Sequence, residues 1–158
     1  MENCKKISFD FHGVINTAPD FFAALLKDLR RRQLQIYVVS GGPREYIEQY
    51  LAKYEIPYDV LWCVFDYFNA REKVEVADDG SFHIDDALWN AAKGTYCASE
   101  NIGLHIDDSK IYGKYFTTPY MRFDAKEQHF EIAGAMLEIK SGTDTVAKIL
   151  HTLCNALS

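Results

Sequence analysis

Apolar positions along this chain fall into short unbroken runs and longer stretches spaced three and four apart, the two periods of strand and helix. The first run, Lys5 to Phe11, reads as a strand that delivers Asp10 to a turn beside Gly13. Helical spacing follows at Phe22, Leu25, Leu26 and Leu29. Thr17 is the expected cap, Pro19 and Asp20 suit the first turn, and Arg30, Arg31 and Arg32 suit the negative end of the helix dipole. Leu34 to Val39 reads as a second strand, followed by Ser40-Gly41-Gly42-Pro43. Tyr46, Ile47, Tyr50, Leu51 and Tyr54 resume the helical period, which stops before Pro57. Val60 to Phe65 reads as a third strand, apolar throughout as a parallel strand covered on both faces should be.

The second half is less regular. Val74 to Ile84 has the pattern of a β-hairpin turning at Asp79-Gly80 and interrupts the strand–helix alternation, so a small insertion over about residues 67–84 is expected. A helix follows Asp85-Asp86, and Ile102 to Ile106 reads as a fourth strand ending in Asp107-Asp108. A short fifth strand is expected near Tyr115 to Thr118, with another extended piece around Tyr120 to Phe123. Thr143 to Leu157 forms a last amphipathic helix with Val146, Ile149, Leu150, Leu153 and Leu157 on its apolar face. With no repeat, low-complexity tract or linker, residues 1–158 read as one α/β domain around a mainly parallel, five-stranded sheet.

Composition narrows the function. A formal net charge of −6 disfavours broad binding to nucleic acid or anionic membrane. An acidic protein that handles phosphates needs local positive charge, usually with a divalent cation. No signal peptide or membrane span is visible, and the four cysteines, Cys4, Cys63, Cys97 and Cys154, form no CxxC pair. Reduced thiols and a cytoplasmic location are the expectation, with Cys63 in the core.

Three strands end in groups of distinct chemistry: Asp10, Ser40 and Asp107-Asp108. Parallel strands place their C-terminal ends on one rim, so these groups can converge. A cluster of carboxylates there calls for a cation, and hard oxygen donors suit Mg²⁺. A hydroxyl at Ser40, the backbone amides of Gly41 and Gly42 and a nearby lysine would suit a phosphoryl group. Taken singly, each has a plainer reading: Ser40 as a turn residue, Asp107-Asp108 as a helix start, and Lys93 as a solvated lysine.

In order, spacing and strand context, the set resembles the haloacid dehalogenase-like (HAD) superfamily, over about Ile7 to Pro119. The resemblance implies a Rossmann-like, three-layer fold and a Mg²⁺-dependent phosphohydrolase. It gives Asp10 the role of nucleophile, forming an aspartyl-phosphate. Ser40 and Gly41 would hold the phosphoryl group, and Lys93, just before a short helix leading into the fourth strand, would neutralise it. Lys110 and Lys73 are the alternatives to Lys93. Asp10, Asp107, Asp108 and the backbone carbonyl at His12 would bind the metal.

Two positions depart from the family pattern. Where phosphatases of the family usually carry a second aspartate as acid and base, this chain has His12, a residue type able to do that work near neutral pH. Where the pattern often adds a further acid, four residues after Asp108, stands Tyr112. There is also too little chain for a large lid, so the resemblance implies a capless or minimally capped member, with Asn16 and Thr17 as the flap. Such a member takes a small phosphorylated substrate or a bulky one, or borrows cover from another subunit of a homo-oligomer. Tyr67, Phe68 and Trp89 are candidate pocket residues, with core packing the plainer reading. A phosphate- or nucleotide-binding module without turnover is the alternative function. A receiver-type signalling domain fits less well, because its acidic pair comes early and here it comes last.

Overall fold

The computed structural model describes residues 5–71, 75–76, 78–79 and 82–157. Nine strands and five helices occur among them: β1 (Lys6–Phe9), α1 (Pro19–Arg31), β2 (Gln35–Ser40), α2 (Arg44–Lys53), β3 (Val60–Cys63), α3 (Val64–Asn69), β4 (Glu75–Val76), β5 (Phe82–His83), α4 (Asp86–Ser99), β6 (Leu104–Asp107), β7 (Tyr120–Asp124), β8 (His129–Ile132), β9 (Ala135–Glu138) and α5 (Thr143–Leu157). Seven of the strands form one sheet in the order β3-β2-β1-β6-β7-β8-β9. The first five in that order run parallel, and β8 and β9 are antiparallel additions.

Alternation within the strands explains where the helices lie. Ile7 and Phe9 of β1, Ile36 and Val38 of β2, and Leu104 and Ile106 of β6 share one core with Leu25, Leu26 and Leu29 of α1, Ile47 and Leu51 of α2, and Val146 and Leu150 of α5. Tyr37 and Val39 point to the opposite face, where Cys97 of α4 and Ile102 join them. Helices therefore cover both faces. From β1 the chain winds through α1 and α2 towards β3, then crosses by α4 on the other face to β6, on the far side of β1. The winding direction reverses between β1 and β6. In an open parallel sheet that point leaves a crevice at the strands' C-terminal ends.

Seven strands, not the expected five, make up the main sheet. The pattern of residues 129–138 hides two strands because their turn is disguised. Ala133 and Gly134 both have positive φ, 48° and 82°, the backbone of a tight hairpin turn, but alanine stands where asparagine or glycine usually signals it. The expected strand at Tyr115–Thr118 is also corrected. Tyr112–Tyr115 is a 3₁₀ turn, and β7 begins at Tyr120, just after Pro119, whose carbonyl accepts from His105 N. Proline has no N–H to give to a ladder, so pairing starts beyond it. The third strand stops at Cys63, and Val64 and Phe65 open α3 instead. It lies at the sheet edge, and its apolar character reflects Trp62 stacked on Tyr96, with ring centroids 4.3 Å apart.

The hairpin is present, with β4 and β5 antiparallel. Gly80 of its expected turn, Lys73 and Cys4 lie outside the described residues. Thr17 does not cap α1. Its hydroxyl donates to the Val14 carbonyl, and Ala18 precedes the helix with Pro19 in its first turn. No helix among the described residues is long and apolar enough to cross a membrane. Cys63, Cys97 and Cys154 are buried and free.

Candidate functional site

Asp10 follows β1 directly, and its N–H donates to the carbonyl of Ile106 in β6, so it stands in the crevice where the winding reverses. Only 5% of it is exposed. Its Oδ1 accepts from Phe11 N at 2.8 Å and lies 3.0 Å from Lys93 Nζ. Lys93 also donates to Asp107 Oδ2 at 2.9 Å. Lys93 belongs to the middle of α4 rather than preceding a helix, and it reaches the crevice from the face that α4 covers. Lys110, an alternative, is exposed.

Asp107 ends β6 and is fully buried. Its Oδ1 accepts from Ser109 N at 3.1 Å, and its Oδ2 accepts from both Lys93 and His105 Nε2, the latter at 3.0 Å. Behind it, Ser8 Oγ lies 2.6 Å from His105 Nδ1. Burial works to raise the Asp107 carboxyl, but the His105 hydrogen bond and the Lys93 charge outweigh it and hold it below the usual carboxylate range. An ionised carboxylate only accepts, so His105 donates through Nε2. Burial lowers the affinity of the imidazole for a second proton, so Nδ1 accepts from the Ser8 hydroxyl. Phe116 stacks on the ring, with centroids 4.7 Å apart.

Charge balance sets the state of the other groups. Burial pushes the Asp10 carboxyl up to about 8, against the pull of Lys93, with Asp107 and Asp108 adding to the rise. Burial would lower the Lys93 ammonium, but Asp10 and Asp107 more than offset it and raise it above its ordinary value. The exposed Asp108 is raised by burial of part of its carboxyl and by Asp107. Asp108 lies against Gly13, whose φ is +84° and where a Cβ would collide with the Asp108 carboxylate. Glycine is needed there for both reasons. Asp10, Asp107 and Asp108 each offer an oxygen within 4.8 Å of the others, a group able to hold a metal ion. A second such group, Asp124, His129 and Glu131, is already bridged by Arg122, which reaches Asp124 and Glu131.

These groups open onto a cleft of about 830 Å³. Asp10, Lys93 and Asp108 reach it, and Gly41 and Gly42 border it. Ser40 is at the correct strand end, but its hydroxyl is fully buried, 3.5 Å from Gly42 N, and it does not line the cleft. Asp107 sits below the cleft as a support. His12 lines it and is exposed. Its Nε2 is 3.1 Å from the Gly42 carbonyl, which only accepts, so Nε2 carries a proton and donates it there. Tyr112 lies over Lys93, with Nζ 5.1 Å from the ring centroid, and its hydroxyl accepts from Trp89 Nε1 at 3.0 Å.

Of the three aromatic candidates, Trp89 lines the cleft, while Phe68 and Tyr67 pack with Val64, Ile84 and Ala92. Asn16 and Thr17 do not line it. Asn16 instead accepts from Gly13 N and closes the turn after β1. The sequence reading passes over Ser8 and His105. The available signal is polar residues at alternate positions of apolar strands, Ser8 in β1 and His105 and Asp107 in β6, all turned to the face that α4 covers. Neither a family model nor a curated protein matches this chain.

Proposed function

We propose that this protein is a Mg²⁺-dependent phosphohydrolase of HAD-like type, a three-layer Rossmann-like domain that works through an aspartyl-phosphate on Asp10. The observation that carries the reading is the meeting of Asp10, Lys93, Asp107 and Asp108, from three separate elements, in the crevice between β1 and β6. The donor set fits the ion, because it consists of hard carboxylate oxygens. Asp10 and Asp108, which open on the cleft, would hold it, with the His12 carbonyl as the further ligand the resemblance implies. Asp107, with both oxygens hydrogen-bonded, orients Lys93 from below. When bound, Mg²⁺ would neutralise the carboxylates and the phosphoryl oxygens.

Lys93 and the Gly41 amide receive the phosphoryl group. Lys93 and Phe11 N both hold Asp10 Oδ1, leaving Oδ2 outside those two bonds for attack. The new bond forms between Asp10 and phosphorus. The bond from phosphorus to the leaving oxygen breaks, its electron pair stays on that oxygen, and His12 supplies the proton. His12 then takes a proton from water, whose oxygen attacks phosphorus. The aspartyl-phosphate bond breaks, returning the Asp10 carboxylate and releasing inorganic phosphate. Positioning and charge neutralisation supply most of such a reaction.

A panel of phosphate esters assayed with Mg²⁺, for the native protein and Asp10→Asn, tests the reading. Turnover by the native protein and none by the variant is expected, and equal turnover by both would remove Asp10 as nucleophile. A second reading, a phosphate- or nucleotide-binding module without turnover, draws on the Ser40 hydroxyl, which is turned away from the cleft. It is distinguished by Mg²⁺-dependent binding of phosphate ligands with no hydrolysis anywhere in the panel.

A further inference from the structure

The floor and the walls of the cleft differ in chemistry. The carboxylates and the ammonium, from Asp10, Asp108 and Lys93, are gathered at the floor. Among the described residues, the only lysine or arginine that lines the cleft is Lys93, which Asp10 and Asp107 already engage. The rest of the lining is largely apolar, from Phe65, Pro43, Trp89, Tyr112 and Ile111, with His12, Asn90 and Ser109 as its other polar side chains. The Trp89–Tyr112 hydrogen bond locks two of these rings to one another. Trp89 also packs on the backbone of Gly41, where a Cβ would come within 2.9 Å of the indole. Any side chain at position 41 would displace the indole, so the aromatic wall and the amides that border the phosphoryl pocket are built as one unit.

A cleft of about 830 Å³ is far larger than a phosphoryl group and within the range that encloses a whole small molecule. We infer that the site selects phosphate monoesters whose leaving group is a planar, uncharged aromatic or heteroaromatic ring, held against Trp89 and Phe65. Rings of this kind gain from apolar burial and from offset or edge-to-face contacts. A polyol finds few hydrogen-bond partners on these walls. Among the described residues no lysine or arginine beyond Lys93 lines the cleft to meet a second phosphate, which also faces the protein's carboxylates, so di- and bisphosphates are disfavoured. The inference rests on the phosphohydrolase reading for the orientation of the ester, with phosphorus at the floor.

Non-hydrolysable probes separate the two claims. Benzylphosphonate and methylphosphonate are titrated by calorimetry into the full chain in excess Mg²⁺, with Trp89→Leu and Phe65→Leu alongside. Benzylphosphonate should bind roughly tenfold more tightly or better. Either variant should bring the ratio towards parity, and Phe65→Leu serves if Trp89→Leu fails to fold. Equal affinity of the two phosphonates for the native protein would overturn the proposal, as would a ratio that neither variant changes. Binding of neither would overturn the proposal together with the phosphate site beneath it. Selective binding of benzylphosphonate with no hydrolysis of benzyl phosphate would support the aromatic subsite and remove the hydrolase reading alone.

Discussion

Lys93 Nζ lies 3.0 Å from Asp10 Oδ1, so a residue in the middle of α4 and the residue that follows β1 meet in one buried contact, an ion pair once Asp10 ionises. Both are nearly fully buried, at 4% and 5% exposure, and Asp107 supplies the second carboxylate. Above about pH 8, where Asp10 is ionised, the three groups are buried charges that hold each other in place, and removing one leaves the others uncompensated.

At about pH 9, where Asp10 is ionised, Lys93→Met should therefore destabilise the metal-free protein by about 3–5 kcal/mol. Asp10→Asn added to it should recover part of that loss, because one of the two stranded carboxylates is gone. Urea denaturation of both single variants and the double variant gives the coupling. Strict additivity of the two changes would contradict the pairing.

Metal uptake should release a proton at neutral pH. With its carboxyl pushed up to about 8 from 3.8, Asp10 keeps a proton in the folded, metal-free protein that the unfolded chain has lost. The sign follows: this group's contribution to stability is full below 3.8 and is lost as pH rises through about 8. Mg²⁺ competes with that proton, so calorimetry at pH 7 in buffers of different ionisation enthalpy should show proton release that fades above about 9. Heats independent of the buffer would contradict the assignment.

Much of this site was legible in the sequence because it sits at strand ends. Apolar runs stopping at Asp10 and Asp107, and a glycine pair after Ser40, mark a sheet rim whatever the packing above it. Only the family resemblance singles out Lys93 within its helical stretch, and the structure puts it in the middle of a helix, reaching Asp10 and Asp107 in the crevice. What the pattern concealed was decided by backbone or by the far face of the sheet. Ala133-Gly134 adopts a tight turn without the usual residues, which hides β8 and β9 in the pattern. Ser40 has the right position, but its hydroxyl turns inward, a rotation that residue type does not encode. Ser8 and His105 read as strand filler until their shared face is known.

That pair should matter beyond packing. His105→Leu removes one of three donors from Asp107 and leaves the buried Ser8 hydroxyl only the Cys97 thiol, 3.7 Å away. A loss of about 1–3 kcal/mol is expected, and Ser8→Ala should cost less, because the imidazole still donates to Asp107. Thermal and urea unfolding measure both. An effect of Ser8→Ala larger than that of His105→Leu would mean the chain of bonds runs otherwise.

His12 should matter most for esters that leave poorly. A proton donor to the leaving oxygen contributes roughly 10²–10⁴-fold when the leaving group is an alkoxide, and little when it is already a stable anion. His12→Ala should therefore depress turnover of an alkyl phosphate far more than that of p-nitrophenyl phosphate. Equal losses on both would assign His12 to holding the Gly42 carbonyl rather than to proton transfer.

The central claim is that Asp10 carries the phosphoryl group during turnover. The direct measurement is mass spectrometry of peptides from the Mg²⁺-loaded protein, quenched in acid while it consumes an aryl phosphate. A phosphoryl group on the peptide containing Asp10, cleaved by hydroxylamine and missing from Asp10→Asn, is the result predicted. Steady turnover with that peptide unmodified, and with Asp10→Asn still active, would contradict it.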